Sequence, residues 1–200
     1  MVALFVASLV TMGVLSAFVF TSRGLFVSEQ RININEDIRE LTSEMTRAAR
    51  QANAFVLYKS FTTADRDTIA DRLHHGESGD FIVFVTLDTT TTVSGKYPIS
   101  RLVGYYRSPD NPSDEESTGP VRRFDVSFST PSSASLESLI PASSTSASHR
   151  EIVQISRGLA DGKLFYNYRD RSAVVNGQIY HGNKAKEVTD TYNFTVSPRS

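Results

Sequence analysis

The chain opens with its longest run of apolar and small residues. Residues 1–20, MVALFVASLVTMGVLSAFVF, contain no charged side chain, no Asn or Gln and no Pro. As a helix, a run of this length spans about 30 Å, the thickness of the hydrocarbon core of a bilayer. It is longer than the apolar region of a secretory signal, usually about 7 to 15 residues, and neither a basic region precedes it nor a clear cleavage site ends it. The pattern therefore predicts a membrane-spanning helix, with a cleaved signal peptide as the weaker alternative.

A second pattern follows residues 21–24 (TSRG) and continues without proline to about Tyr58. Its apolar residues are spaced by three or four positions, which draws a single stripe along a helix, and charged residues fill the positions between them. We expect both segments to form one rod whose stripe packs on a sheet; a coiled-coil seam and a solvent-exposed stalk are the alternatives. The residues expected to make this helix-to-sheet packing are Ile34, Ile38, Leu41, Met45, Ala49 (or Ala48), Ala52 and Val56.

The period changes from 3.6 to 2 beyond residue 80. Residues 81–86 are apolar on both faces of a strand and are therefore expected at the centre of a sheet. Residues 99–107 form the next predicted strand, after a turn at Ser94-Gly95, and residues 121–129 predict a half-buried strand. Shorter strands are predicted at 152–156, 164–169, 173–175, 178–181 and 191–197, with a hairpin at Asn176-Gly177 and short helices at 65–73 and near Leu136.

These elements predict an α+β fold. A long N-terminal helix, membrane-spanning and then amphipathic, packs on one antiparallel β-sheet. We divide the chain into a transmembrane half of the helix (1–24), an amphipathic half (25–59), a connector (60–79) and an antiparallel β head domain (80–200).

Charge and composition narrow the range of functions. The formal net charge of -1 leaves no basic footprint for a polyanion, so a nucleic-acid partner is not predicted. Cysteine is absent, which excludes disulfides, thiolate metal sites and a cysteine nucleophile. The sequence contains no P-loop, Gly-x-Ser-x-Gly or His-Glu-x-x-His motif. We therefore expect neither an enzyme nor a cofactor.

Candidate metal ligands are few. His74 and His75 are adjacent, so their side chains diverge on a helix or a strand, and no further ligand is suitably spaced. The acidic loop lacks the Asp-x-Asp-x-Asp-Gly register of a calcium loop, so a solvated loop is the favoured interpretation. Its acidic residues are Asp110, Asp114, Glu115 and Glu116.

Two further patterns allow a surface function. Asn193-Phe194-Thr195 satisfies the glycosylation triplet but lies inside a predicted strand. Four tyrosines interleave with arginines, either as a sugar-binding or adhesive platform or, as alternation favours, as cross-strand aromatic pairs within the sheet. These residues are Tyr105, Tyr106, Tyr166 and Tyr168, with Arg101, Arg107, Arg169 and Arg171.

The first third of the chain resembles the type IV pilin and type II secretion pseudopilin superfamily, and its minor members in particular. Residues 1–10 (MVALFVASLV) are similar to the inner part of a pilin helix, and residues 44–54 (EMTRAARQANA) are similar to the helix end of minor pilins. A basic leader ending in Gly, followed by Phe-Thr-Leu-x-Glu, is typical of the family. The resemblance places Met1 just downstream of these residues, so that the leader and the first mature residues are expected to be missing from the sequence.

The resemblance implies a structural subunit of an extracytoplasmic filament, in a type IV pilus or a type II secretion system. It implies an inner-membrane location with the head outside the cytoplasm, and as partners membrane lipid, other pilin-like subunits and the assembly machinery. The residues expected in the membrane and in the filament core are Leu4, Phe5, Val6, Leu9, Val10, Val14, Leu15 and Phe18. The alternatives are a single-pass membrane-anchored β-domain that binds a ligand or partner without polymerising and, less favoured, a membrane-tethered hydrolase.

Overall fold

The computed structural model describes residues 2–111, 114, 117–183 and 186–199, without the side chains of residues 2–9, 182–183 and 186–187. This part of the chain forms one long helix, α1 (Val2–Gln51), followed by an antiparallel sheet. The strands are β1 (Ala54–Tyr58), β2 (Arg72–Leu73), β3 (Ser78–Gly79), β4 (Phe81–Leu87), β5 (Ile99–Arg107), β6 (Gly119–Ser132), β7 (Arg150–Gly158), β8 (Phe165–Tyr168), β9 (Ser172–Asn183) and β10 (Lys186–Val196). A single helical turn, α2 (Leu136–Leu139), follows β6. The predicted α+β architecture of a long N-terminal helix and an antiparallel sheet is confirmed.

Helix α1 is continuous through residues 21–24, as expected of one rod. It ends at Gln51, however, and the predicted extension of the amphipathic half to residue 59 is wrong. Residues 54–58 (AFVLY) are aromatic, aliphatic or β-branched and pair with β4 along their whole length. The helix-to-strand turn is short because Asn53 joins the sheet edge: its backbone N–H donates to the Val85 carbonyl, and its side-chain oxygen accepts from the Leu87 N–H.

The sheet runs in the order β2-β1-β4-β5-β6-β7-β9-β8-β3, and the whole of β10 pairs with β9. Strand β4 is central and buried on both faces, as its sequence predicts. Ile82 and Phe84 belong to a core shared with α1, whereas Phe81, Val83 and Val85 belong to a second core on the opposite face. The predicted hairpin of β4 and β5 is confirmed, and its tip turns at Ser94 and Gly95, both with positive φ.

Two local predictions are wrong. Asn176-Gly177 does not form a hairpin but lies within β9, where Gly177 pairs with Tyr192 of β10 and Gly158 of β7. The long flanking strands determine the pairing there, so tertiary context overrides a turn-forming dipeptide. The helix predicted at 65–73 is replaced by two 3₁₀ turns, Thr63–Asp65 and Ile69–Asp71, and the short strand β2.

The C-terminal half of α1 lies across β7, β9 and β10 and reaches β4 at its end. The core between the helix and the sheet combines helix residues with inward-facing residues of these strands. The opposite face of the sheet is covered by the segments that include Phe61, Leu136 and Ile140. The helix is therefore fixed to the head along only part of its length.

Candidate functional site

The N-terminal part of α1 is an exposed apolar rod. Every residue from Val10 to Leu25 is exposed, with Phe18 at 70%, Phe20 at 81% and Leu25 at 68% of full exposure. Within the described residues this is one helix long and apolar enough to cross a membrane, and its most apolar window is not buried at all. A surface of this kind is unstable in water unless lipid or another protein covers it.

The structure places four of the predicted membrane or filament residues on this rod: Val10, Val14, Leu15 and Phe18 are all exposed. The other four lie in α1, but their side chains are outside the described part of the structure: Leu4, Phe5, Val6 and Leu9.

The C-terminal half of α1 presents its stripe to the sheet. The fully or almost fully buried stripe residues are Ile34, Leu41, Met45, Ala48, Ala49 and Ala52. Ile38 is partly buried against the same core. The three alanines are small enough to let the helix lie close to the sheet, whereas a larger side chain there would hold the two apart. Val56 does not belong to this set, because it lies in β1 and packs on the opposite face of the sheet.

Ion pairs with the sheet flank this apolar contact. Arg150, at the start of β7, donates from Nη1 to Glu44 Oε1 at 2.8 Å and from Nη2 to Glu40. Arg123 of β6 lies on the other side of the same carboxylate, with its Nε 3.9 Å from Glu44 Oε2. Glu44 thus lies between two arginines from neighbouring strands. These ion pairs join one side of the helix to β6 and β7.

A buried hydroxyl adjoins this cluster. The Tyr105 side chain is fully buried, and its Oη has no hydrogen-bond partner within the described residues. Burial raises the pKa of Tyr105 to about 12, the nearby Glu44 carboxylate adds to this effect, and Arg123 opposes it. The tyrosine is therefore a neutral group at physiological pH, and the Glu44 carboxylate beside it balances the two arginines.

Further polar contacts hold the helix at both ends of the packed segment. His181 Nε2 lies 2.8 Å from Asp37 Oδ2, which ties β9 to the middle of the helix. Arg101 bridges Gln51 Oε1, at 2.9 Å, to the Asp125 carboxylate, and the Arg199 N–H donates to the Ala52 carbonyl. The C-terminal half of α1 is in this way a rigid part of the head.

Sequence reasoning missed the head-side partners of the helix, which are Arg101, Arg123, Arg150 and His181. They lie 50 or more residues from the helix positions that they bind. No local pattern marks them, except that an arginine facing the core side of a strand requires a carboxylate partner. The acidic partners on the helix, by contrast, are close neighbours of the apolar stripe residues in the sequence.

A half-open cavity of about 330 Å³ lies in the head, lined by Phe61 and Tyr106 of the second core and by several charged residues. Its cationic side chains are Lys59, Arg107 and Lys163, and its carboxylates are Asp65 and Asp80. Asp80 is buried, 3.4 Å from Lys163 Nζ and 3.7 Å from Arg107 Nη1, and it accepts the Leu164 N–H. Burial raises the pKa of Asp80, and the two cations oppose that effect. The charged groups around the cavity are therefore largely paired with one another.

The remaining candidates are dispersed. Tyr105 and Tyr106 belong to opposite cores of the sheet, and three strands separate β5 from the β8 tyrosines, so no tyrosine platform forms. His75 accepts the Arg169 N–H, and within the described residues no group of three or more His, Asp or Glu is placed to hold a metal. Asp110 accepts the Thr118 hydroxyl, whereas Glu115 and Glu116 lie outside the described residues. Asn193 lies in β10, within the strand predicted for it.

The exposed rod and its mounting on the head are therefore the most distinctive surface of the described chain. Comparison with protein-family models, with curated proteins and with solved structures gives no match.

Proposed function

We propose that the chain is a structural subunit, minor pilin-like or pseudopilin-like, of an extracytoplasmic filament of a type IV pilus or type II secretion system, assembled through α1. The observation that carries the proposal is the division of one helix into an exposed apolar half and a half clamped to a β head. In a membrane, lipid covers the apolar half and the head lies outside the cytoplasm. In a filament, neighbouring copies of the same half cover it.

The composition of the rod supports contact with other helices. In lipid, association depends on close packing and interhelical hydrogen bonds, because lipid tails are as apolar as leucine. Gly13 and Ala17 form a small-x-x-x-small pair, and a Cβ added at Gly13 would meet nothing within 4 Å. Ser16 lies beside this pair. Small residues at this spacing let a second helix approach closely.

The proposal is tested by cysteine cross-linking of the full chain in membranes, since the chain contains no native cysteine. Met12 and Val14 are both exposed and lie roughly 160° apart around the helix. In a filament each helix has neighbours on several sides. The double variant Met12→Cys/Val14→Cys should therefore give a ladder extending beyond dimers, whereas each single variant should stop at dimers.

Thr92→Cys, in an exposed loop of the head, is the control for random collision. A double variant that stays monomeric, or that cross-links no more than Thr92→Cys, would reject the filament.

A second candidate is a membrane-anchored head that binds a ligand without polymerising, and the cavity of Lys59, Asp80 and Lys163 favours it. In that case the rod is an anchor alone. The same experiment separates the two functions, because an isolated anchor gives no ladder.

A further inference from the structure

The half-open cavity of the head combines buried aromatic rings with a charged rim. The rings of Phe61 and Tyr106 line it, and they stack with their centroids 4.0 Å apart. Both residues are buried, so their rings form the inner wall of the cavity. Ligand sites usually measure about 300 to 1,000 Å³. At about 330 Å³ this cavity lies at the lower end of that range, and it is large enough for a small ligand alone.

The carboxylates of the cavity are held by groups of the chain itself. Asp80 contacts Arg107 and Lys163 and accepts a backbone N–H. Asp65 accepts two side-chain hydroxyls. The hydrogen bond from Ser60 lowers the pKa of Asp65, so this carboxyl carries a negative charge at neutral pH. Neither carboxylate is left without a partner to attract a cationic ligand.

The cationic groups outnumber the carboxylates. Lys59, Arg107 and Lys163 line the cavity with Asp65 and Asp80, which leaves one positive charge over. Within the described residues no ion pair includes Lys59. Lys163 contacts Asp80 alone among the carboxylates, and an ammonium group has three donors. The charges of both lysines lower the pKa of Asp65, so both ammonium groups lie near the same carboxylate.

A small monoanion matches this arrangement. It balances the remaining charge, whereas a cation adds to it and a dianion exceeds it. Its oxygens can accept from Lys59 and Lys163, and the rim adds the residues Ser108 and Ser143, whose hydroxyls can also donate. The two rings of the inner wall suit an apolar body attached to the anionic group.

We propose that this cavity binds a small monocarboxylate, with its carboxylate held by Lys59 and Lys163 and its apolar body against Phe61 and Tyr106. The site lies in the head, whereas the filament proposal concerns the rod. The inference therefore goes beyond the proposed function and does not depend on polymerisation.

Probes of one shape and different charge test the ligand class. Benzoate, benzyl alcohol and benzylammonium are titrated into the detergent-solubilised full chain by calorimetry, and the heats in protein-free detergent are subtracted. Benzoate should bind at one site, benzyl alcohol about tenfold more weakly and benzylammonium not at all, because charged hydrogen bonds to the lysines require the carboxylate. Equal binding of the three probes would overturn the proposal.

Two further probes test the two ends of the ligand. Acetate lacks the apolar body and should bind more weakly than benzoate. An equal affinity would contradict the contact with the rings. Inorganic phosphate should also bind more weakly than benzoate, and tighter binding of phosphate would show that the site does not take a monocarboxylate.

Variants of Lys59 test the residues. Lys59→Met should lower the affinity for benzoate about tenfold, whereas Lys59→Arg keeps the charge and should retain most of it. Lys96→Met, in the exposed loop between β4 and β5, is the matched control and should bind as the parent chain does. Lys59 is exposed, so circular dichroism should be unchanged. An unchanged affinity of Lys59→Met would reject the site, whatever the result of the Met12/Val14 ladder.

Discussion

The two halves of α1 belong to one uninterrupted helix but are stabilised by different surroundings. From Val10 to Phe20 the helix is exposed on all sides and carries no charged residue, whereas from Ile34 to Gln51 it is apolar on one stripe, which is buried. A helix that is apolar all round requires a nonpolar environment on every side, and an amphipathic helix requires only one packed face. The second half is therefore satisfied within the chain, and the first half is not.

The difference separates the location of the chain from the stability of its head, two properties that usually change together in a globular protein. Substitutions in the N-terminal half should change where the chain resides and what surrounds it, but not the stability of the head. Substitutions in the C-terminal half should change the stability of the head, but not partitioning into lipid. Each prediction below tests that division.

The largest effect is expected from a charge in the exposed half. Leu15→Arg places a cation in the middle of the apolar run, which disfavours the spanning position by at least about 2.5 kcal/mol. We expect the variant to lose membrane retention and assembly together, as measured by membrane fractionation and by the Met12/Val14 ladder. Leu15→Ile is the matched control and should behave as the parent chain does.

The folding of the Leu15→Arg head should be unaffected, because Leu15 is exposed. Normal assembly of this variant would show that the helix is not the filament core.

The second prediction compares the same substitution in the two halves. Leu41→Ala opens a cavity in the core beneath the helix and should destabilise the head by about 2 to 5 kcal/mol. Leu15→Ala removes a side chain that packs on nothing in the chain and should leave the head stability unchanged.

The measurement is denaturant unfolding of the detergent-solubilised full chain, followed by circular dichroism of the sheet. Equal destabilisation by both variants would contradict the division of the helix.

The sequence predicted the elements whose side chains follow a simple period. The apolar run of residues 1–20, the helical stripe and the two-sided strand at 81–86 each depend on local spacing, and all three correspond to elements of the structure. The end of the helix was predicted seven to eight residues late, because Val56 continues the spacing of the stripe although residues 54–58 pair as a strand. Spacing alone does not separate a helix from a short apolar strand.

Long-range pairing explains what the sequence did not predict. Asn176-Gly177 is a strong turn signal, but the register of β9 with β10 carries both residues through the sheet. The same limit applies to the ion pairs that hold the helix on the sheet, here called the clamp, since Arg150 lies more than 100 residues from Glu40 and Glu44. Charge complementarity between such distant positions depends on a topology that no local pattern contains.

The third prediction concerns this clamp. Glu44→Gln removes a carboxylate that lies between Arg123 and Arg150, and we expect the head to lose about 1 to 3 kcal/mol of stability. Glu36→Gln, on the solvent face of the same helix, should change the stability by less than about 0.5 kcal/mol. The pair is compared by the same denaturant unfolding. A similar small effect of both would mean that the clamp does not stabilise the helix on the sheet.

The smallest expected effect is a pH dependence confined to the packed half. Hydrogen bonds from Arg101 lower the pKa of Asp125, and the charges of Arg101 and Arg123 lower it further. Since the folded pKa lies below the unfolded value of about 3.9, the stabilisation is fully present above that pH and is lost as the pH falls through the folded pKa. Solvent screens this exposed pair, so its contribution should be no more than about 1 kcal/mol. Asp125→Asn should therefore be less stable than the parent chain at pH 7, and the difference should shrink towards pH 3.

The apolar half carries no titratable side chain in residues 1–22, so membrane retention should stay constant over the same pH range. A loss of membrane retention that follows the titration of Asp125 would show that the two halves of the helix are coupled.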